Sequence, residues 1–186
     1  SKNLNPDYWF NYARPTVWMG YAETLFLKAE AALRGYKAAG LTASAEDYFR
    51  QGVRASMDYY EIPSSVATSY INGLTALTDG TFSSGNREKM LEAIITQKWL
   101  AVFPNGNEGW AEFRRTDYPA LANQMTNNSG GDVPEGKMIK RLLYPNSEAT
   151  NQYFNSHPEL QRANSQGKRL WWDVADTNDA EGNRVQ

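Results

Sequence analysis

Two consecutive segments with helical periodicity, residues 17–34 and 44–60, constrain the fold of this chain more than any other feature. In the first segment, charged side chains fall between apolar ones that recur at spacings of three and four residues, namely Tyr21, Leu25, Ala29 and Ala32 or Leu33. This spacing predicts an amphipathic helix that buries one face. Gly35 comes directly after it and supplies a left-handed stop.

The second segment carries a helix-start signal and a packing signal. Ser44 and Asp47 have capping-box spacing, with negative charge in the first turn. The Ala-x3-Phe-x2-Gly spacing that follows is typical of the second helix of a tetratricopeptide-type unit, where small residues let two antiparallel helices approach closely. We expect one such unit, in which Ala45, Phe49 and Gly52 face Tyr21, Leu25 and Ala29.

The rest of the chain predicts further helices separated by long loops. Asn86 can cap a helix that runs to about Phe103 and buries one face, formed by Leu91, Ile95, Trp99 and Val102. Residues 108–115 and 147–155 read as shorter helices, and residues 78–85 and 123–136 as loops. The predicted fold class is therefore all-α, with tetratricopeptide-type helix pairs and long irregular loops.

Charge and cysteine content exclude several classes of function. The net charge is −2, with 19 basic and 21 acidic residues and no basic run, which argues against nucleic acid as a partner. Cysteine is absent, so disulfides, thiolate catalysis and cysteine-based zinc sites are excluded. No run of 18 apolar residues predicts a membrane span.

The sequence shows little sign of a catalytic constellation. Its one histidine, His157, lies in a Ser-His-Pro turn, and we interpret it as a turn residue. Six carboxylates could supply a glycosidase pair, although the sequence brings no two together: Glu61, Asp79, Glu108, Glu112, Asp117 and Asp132. We therefore expect no enzyme activity, with an all-α glycoside hydrolase as the alternative. Residues 176–182 resemble a calcium loop but lack its alternation and final Glu, so neither a metal nor a cofactor is predicted.

Two features have both a structural and a ligand-binding interpretation. Six Trp, eleven Tyr and seven Phe suit sugar recognition, because flat rings stack on pyranose faces, but they also suit an ordinary core. Glu112, Arg114 and Arg115 could clamp an anionic ligand. We favour the alternative, in which they fix the loop between helices by bonding carboxylates and backbone carbonyls, with Trp110 and Phe113 in the core.

A set of short motifs in this order resembles the SusD/RagB family of surface glycan-binding lipoproteins. The motifs run from residue 19 to residue 173 and are Tyr21-Ala22-Glu23, Ala29-Glu30-Ala31 with Arg34-Gly35, Val53-Arg54-Ala55, Gln97-Lys98-Trp99, Trp110-Ala111-Glu112-Phe113-Arg114-Arg115-Thr116, Tyr118-Pro119, Arg141-Leu142-Leu143-Tyr144-Pro145 and Trp171-Trp172-Asp173. Family members are considerably longer. The resemblance implies that residues 1–186 are the C-terminal portion of a single SusD-like domain.

The resemblance also implies a function, a location and partners. It implies non-catalytic binding of oligosaccharide or polysaccharide at the outer membrane surface, and delivery to a SusC-like TonB-dependent transporter. The lipid-bearing cysteine of the family would lie in the N-terminal part of the protein, which is expected to be a further partner of this portion. A tetratricopeptide scaffold that binds a peptide strand between its helices is a third possibility.

Aromatic residues outside the helical core spacing are the best candidates for sugar contact. Several rings crowd the segment before Pro15 and cannot all face one buried side. In the family, this segment and the loops between later helices line the ligand-facing surface. The predicted ligand-binding residues are Trp9, Asn11, Tyr12 and Arg14, with Asp79 and Phe82 as loop contributors.

Overall fold

A computed structural model describes residues 13, 15–37, 40–121, 126–162, 164–170, 177–178 and 184–185 of the protein. Within these residues the chain is helical, as the sequence predicts. The helices are α1 (Tyr21–Leu33), α2 (Ala45–Tyr59), α3 (Ser64–Asn72), α4 (Thr75–Thr78), α5 (Arg87–Ala101), α6 (Gly106–Thr116), a 3-10 helix (Asn146–Thr150), α7 (Gln152–Ser156) and α8 (Pro158–Arg162). Two strands of two residues each, Thr177–Asn178 and Arg184–Val185, pair antiparallel.

Helices α1 and α2 form the predicted pair, with the predicted signals at their ends. Gly35 has φ of +71° and its N–H donates to the carbonyl of Ala32, which ends α1. At the start of α2, the Ser44 hydroxyl accepts the N–H of Asp47 and the Asp47 carboxylate accepts the N–H of Ser44. The capping box is therefore confirmed.

The core lies where α1 packs against α2 and α5. Leu25, Ala29, Phe49 and Val53 are buried there together with Ile94 of α5. Aromatic packing adds to this cluster, since the rings of Phe26 and Phe49 meet edge to face with their centroids 6.2 Å apart.

One residue expected in this interface is not there. Tyr21 is the first residue of α1 and is 70% exposed, so its placement in the core was wrong. Helical side chains lean toward the N-terminus, and a ring on the first residue therefore projects beyond the end of the helix pair. Phe26 takes the close approach instead, with its ring directly over Gly52.

Helices α5 and α6 follow their predicted boundaries closely. The Asn86 side chain accepts the N–H of Lys89 at the start of α5, and Asn105 caps α6 in the same way by accepting from Glu108. Helix α6 ends at Thr116 and is followed by Asp117, whose φ is +59°. Side-chain caps therefore define where both helices begin.

The single helix predicted over residues 147–155 is wrong. The chain forms a 3-10 helix, Asn146–Thr150, and then the separate helix α7. Asn151 lies between them in an extended conformation, and its side chain accepts the N–H groups of Tyr153 and Phe154. A residue that caps a new helix has an extended backbone, which cannot continue the previous helix. The segment therefore divides at Asn151.

The described part of the predicted loop 123–136 contains neither helix nor strand. Its backbone turns at Gly130 and Gly131, both with positive φ, and the Asn127 amide donates to the carbonyl of Val133. No helix within the described ranges is long and apolar enough to cross a membrane.

Candidate functional site

A buried ion network joins α1, α5 and α6 and sets the geometry around them. The Lys98 side chain is 1% exposed, and its ammonium lies 2.6 Å from the Glu112 carboxylate, 3.3 Å from Glu108 and 3.9 Å from Glu23. Because Lys98 belongs to α5, Glu23 to α1 and the other two to α6, a single cation ties three helices together.

Arg115 extends the network from α6 to α1. Its guanidinium makes two hydrogen bonds to Glu30, of 2.6 and 2.7 Å, and a third to Glu112 at 2.7 Å. Glu30 also accepts from Arg34 one turn along α1. Arg114 lies 4.2 Å from the centre of the Trp110 ring and donates to the carbonyl of Lys140. These contacts agree with the structural interpretation of the arginine pair.

Glu30 makes stability depend on pH. Burial alone raises the pKa of its carboxyl, but the hydrogen bonds and charges of Arg115 and Arg34 outweigh burial and hold the pKa below the ordinary value of 4.5. A lowered pKa in the folded state stabilises the protein above the unfolded pKa, and this contribution is lost as pH falls through the folded value.

We therefore expect the free energy of unfolding to fall as pH drops below 4.5, and to fall less steeply in Glu30→Gln. Urea denaturation over roughly pH 3 to 7 measures both curves. Glu23 affects stability in the opposite direction. Desolvation raises the pKa of its carboxyl above 4.5, and the charge of Lys98 only partly offsets this. Its contribution to stability is therefore present at low pH and is lost as pH rises through the raised pKa. Parallel curves for the parent and Glu30→Gln in the acid range would contradict the assignment.

A cleft lined by exposed aromatic rings lies where α1 begins and α2 ends. The exposed fraction is 90% for Trp18, 70% for Tyr21, 51% for Phe103 and 47% for Tyr59. All four residues line the cleft, which we call the aromatic cleft. Its volume is about 150 Å3. That is smaller than the enclosed sites of drug-sized ligands, so an extended ligand would lie across the rings rather than inside.

The loop between α5 and α6 is fixed where it borders the aromatic cleft. The Tyr60 hydroxyl donates to the carbonyl of Phe103 over 2.6 Å, and the rings of Tyr59 and Tyr60 meet edge to face at 5.1 Å. Asn105, on the same border, uses its side-chain oxygen to cap α6. Specific contacts therefore hold this loop against the end of α2 at the edge of the aromatic cleft.

Polar groups of the aromatic cleft are few. Ser56 and Asn105 contribute a hydroxyl and an amide, and Glu23 contributes a half-buried carboxylate. Exposed rings that lie beside hydroxyl and amide groups are suited to flat, hydroxyl-bearing ligands, because rings supply contact area while the polar groups fix orientation.

A second, more apolar pocket of about 660 Å3 lies between α5, α6 and residue 138. Trp99, Trp110 and Phe113 line it together with Met138. The expectation that Trp99 and Trp110 belong to the core holds only in part, since both residues are half-buried. The Trp110 indole N–H donates to the carbonyl of Ile139.

Comparison with known proteins decides the family. The family model described as SusD-like, SusD and RagB outer membrane lipoprotein, matches residues 2–173. The chain belongs to the SusD/RagB family. Members of this family are outer membrane lipoproteins, and this is therefore the location of the protein. Its all-α fold is that of the family. A search among curated proteins finds no match.

Solved SusD homologues superpose on this chain. A homologue from Bacteroides vulgatus is 37% identical with a TM-score of 0.70, and the match covers 91% of this chain and 38% of that one. One from Bacteroides thetaiotaomicron is 31% identical with a TM-score of 0.70, over 88% of this chain and 40% of that one. A chitin-binding SusD homolog from Flavobacterium johnsoniae is 30% identical with a TM-score of 0.66, over 82% and 36%. This chain thus spans 36–40% of the length of these relatives.

The predicted ligand-binding residues fall in two groups. Trp9, Asn11, Tyr12 and Arg14 lie outside the described residues, and they remain predictions. Asp79 and Phe82 lie in the turn before α5. The Asp79 carboxylate accepts the N–H and the hydroxyl of Thr81, and the Phe82 ring packs on Phe49 with centroids 5.0 Å apart.

The turn that carries Asp79 and Phe82 is not part of the aromatic cleft. It leads into α5, whose first residue, Arg87, donates to the carbonyl of Leu33 at the far end of α1. Since α1 has 13 residues, about 20 Å separate its two ends. The sequence analysis did not predict Trp18, Tyr59 or Phe103 as ligand-binding residues. Trp18 lies just before α1 and does not belong to the apolar face of that helix, and this position is the signal that could have identified it.

Several of the residues considered for catalysis have structural partners. His157 stacks on Tyr153 with ring centroids 4.0 Å apart, and its Nδ1 lies 2.7 Å from the Tyr153 carbonyl oxygen. Asp117 pairs with Lys140 at 2.6 Å, and Asp132 accepts the N–H of Gln166. Within the described part of the chain, no group of three or more His, Cys, Asp or Glu is arranged to hold a metal ion.

Proposed function

We propose that this chain takes part in non-catalytic binding of an oligosaccharide or polysaccharide at the outer membrane surface, for delivery to a SusC-like TonB-dependent transporter. The observation that carries the proposal is the aromatic cleft in a chain of the SusD/RagB family. A relative from Flavobacterium johnsoniae is described as chitin-binding, which makes β-linked N-acetylglucosamine the first ligand to test.

The remaining N-terminal part of the same protein is the second proposed partner, with residues 1–186 as the C-terminal portion of one domain. The greater length of the relatives supports this. Further support comes from Leu100 and Phe103, exposed apolar side chains that line the same pocket beside α5. Exposed apolar side chains that lie together are typical of surfaces that another segment covers.

The sequence continues from the predicted residues into the aromatic cleft. Arg14 precedes Val17 and Trp18 by only a few positions, and both of the latter line the cleft. We therefore propose that Trp9, Asn11, Tyr12 and Arg14 contact the ligand outside the aromatic cleft, and that Asp79 and Phe82 form a separate contact.

Trp18→Ala should weaken binding of the cognate glycan by about 1–2 kcal/mol, roughly a 5- to 30-fold rise in Kd. The melting temperature should change little, because the ring is 90% exposed and contributes little to the core. Isothermal titration with chitohexaose and with a panel of other oligosaccharides measures the change in Kd, and a melting curve measures the change in melting temperature.

Tyr153→Ala is the matched control, since Tyr153 is a comparably exposed aromatic residue, at 65%, on α7 rather than at the aromatic cleft. Its glycan affinity should equal that of the parent. If Trp18→Ala, Tyr21→Ala and Trp9→Ala all bind as the parent does, the site lies elsewhere. New reducing ends in the incubated glycans would show a hydrolase instead of a binding protein.

A further inference from the structure

The side chains that line the aromatic cleft limit the charge of its ligand. Among the described residues of this lining, Glu23 is the one with a side chain that is charged at neutral pH. The others are aromatic, aliphatic, hydroxyl or amide side chains. A site for an anionic glycan would be expected to present Lys or Arg, since these recognise carboxylate and sulfate groups.

The nearest cation behind the aromatic cleft does not reach a ligand. Lys98 lies 3.9 Å from Glu23, but its side chain is 1% exposed and its ammonium is held by Glu112. The positive charge is therefore enclosed by carboxylates, and the charged group in the described lining is the Glu23 carboxylate, whose side chain is 15% exposed.

Two arginines border a neighbouring groove on the other side of Tyr21 and Tyr59, and both are engaged. Arg50 bonds the carboxylate of Glu46, and Arg54 donates to the carbonyl of Ser64 and the hydroxyl of Thr68. Asp58 borders the same groove and adds negative charge. Both arginines lie outside the lining of the aromatic cleft, and the carboxylates of Glu46 and Asp58 lie beside them.

We infer that the aromatic cleft selects uncharged pyranosides and discriminates against glycans that carry uronate or sulfate groups. The inference rests on the proposed function and adds the ligand class to it. Rings give contact area to any pyranose, whereas the carboxylate of Glu23 repels a second anion in a partly desolvated place. Ser56 and Asn105 can bond hydroxyl and acetamido groups, which are neutral donors and acceptors.

Pairs of oligosaccharides that differ in charge test this selectivity. The first pair is chitohexaose and a hyaluronan hexasaccharide, and the second is oligogalacturonate with and without methyl esters. Isothermal titration of the whole protein at low salt should give at least about a tenfold lower Kd for the neutral member of a pair.

A charge introduced into the lining provides the matched variant. Ser56→Lys, on α2, should reduce the ratio of Kd values between the anionic and the neutral member, and the effect should diminish as salt is added. Ser147→Lys, in the 3-10 helix, adds the same charge away from the aromatic cleft and should leave the ratio unchanged.

The outcomes separate the inference from the proposed function. Equal or tighter binding of the anionic member overturns the inference and leaves glycan binding intact. An unchanged ratio in Ser56→Lys also overturns it, because the selectivity would then arise outside the aromatic cleft. Failure of the parent to bind any glycan of the panel overturns both.

Discussion

Lys98→Met should lower the free energy of unfolding by about 3–5 kcal/mol, the cost of removing one partner from a buried ion pair. Methionine fills much of the space but leaves the carboxylates of Glu112, Glu108 and Glu23 without the cation that they share. Three acidic groups around one apolar side chain repel one another, and Glu112, the most buried of them, keeps only Arg115 as a charged partner. Urea denaturation followed by tryptophan fluorescence measures the loss.

Arg50→Ala is the control for this variant. Arg50 and Glu46 form an ion pair within one helix, 2.8 Å long, in which each side chain is 39% exposed. Exposed pairs of this kind contribute less than about 1 kcal/mol. If Lys98→Met costs no more than Arg50→Ala, Lys98 does not act as the tie between α1, α5 and α6. The double variant Lys98→Met/Glu112→Leu should recover part of the loss, because it also removes a buried charge.

Local signals in the sequence predict most of the helical scaffold. Ser44 with Asp47, Asn86 and Gly35 each act on backbone groups within a few residues, so the helix ends that they define follow from the sequence alone. The α1–α2 pair follows as well, because the apolar spacing and Gly52 specify which faces meet.

Long-range pairing could not be predicted in the same way. Glu30 and Arg34 lie four residues apart, which is the spacing of a helical ion pair, and they pair at 2.9 Å. The sequence does not predict that Arg115, 85 positions later, bonds the same carboxylate. Likewise, Glu23 lies near Lys98 rather than near the neighbouring Lys28. Such partners depend on how α5 and α6 pack on α1, and spacing along one helix carries no information on that.

The aromatic cleft shows a similar limit. A tyrosine at helical spacing is usually counted as core, and Tyr21 fits the apolar phase of α1. Its exposure results from its position on the first residue of the helix, and the cleft forms only because Phe103 and Tyr59 come to the same place from distant parts of the chain. Periodicity identifies a face, but it does not show where the neighbouring helix ends.

Gly52→Leu should destabilise the protein by about 3 kcal/mol, the upper end of the usual cost of overpacking. Even a Cβ atom at this position would lie 2.9 Å from two ring atoms of Phe26. That ring is fully buried and packs edge to face on Phe49, so it cannot move aside without disturbing the core between α1 and α2. Gly52→Ala should cost less than Gly52→Leu, since it adds only the first of these clashes.

A leucine introduced elsewhere on α2 serves as a control, because it separates the cost of overpacking from the effect of a change in helix propensity. Gln51→Leu adds the same side chain to the same helix at an exposed position, and we expect its unfolding free energy to stay within about 1 kcal/mol of the parent. Melting curves and urea midpoints compare the three variants. A Gly52→Leu protein with the melting temperature of the parent would mean that α1 and α2 are not held at the distance that Gly52 allows, and the tetratricopeptide-type pairing would then be wrong.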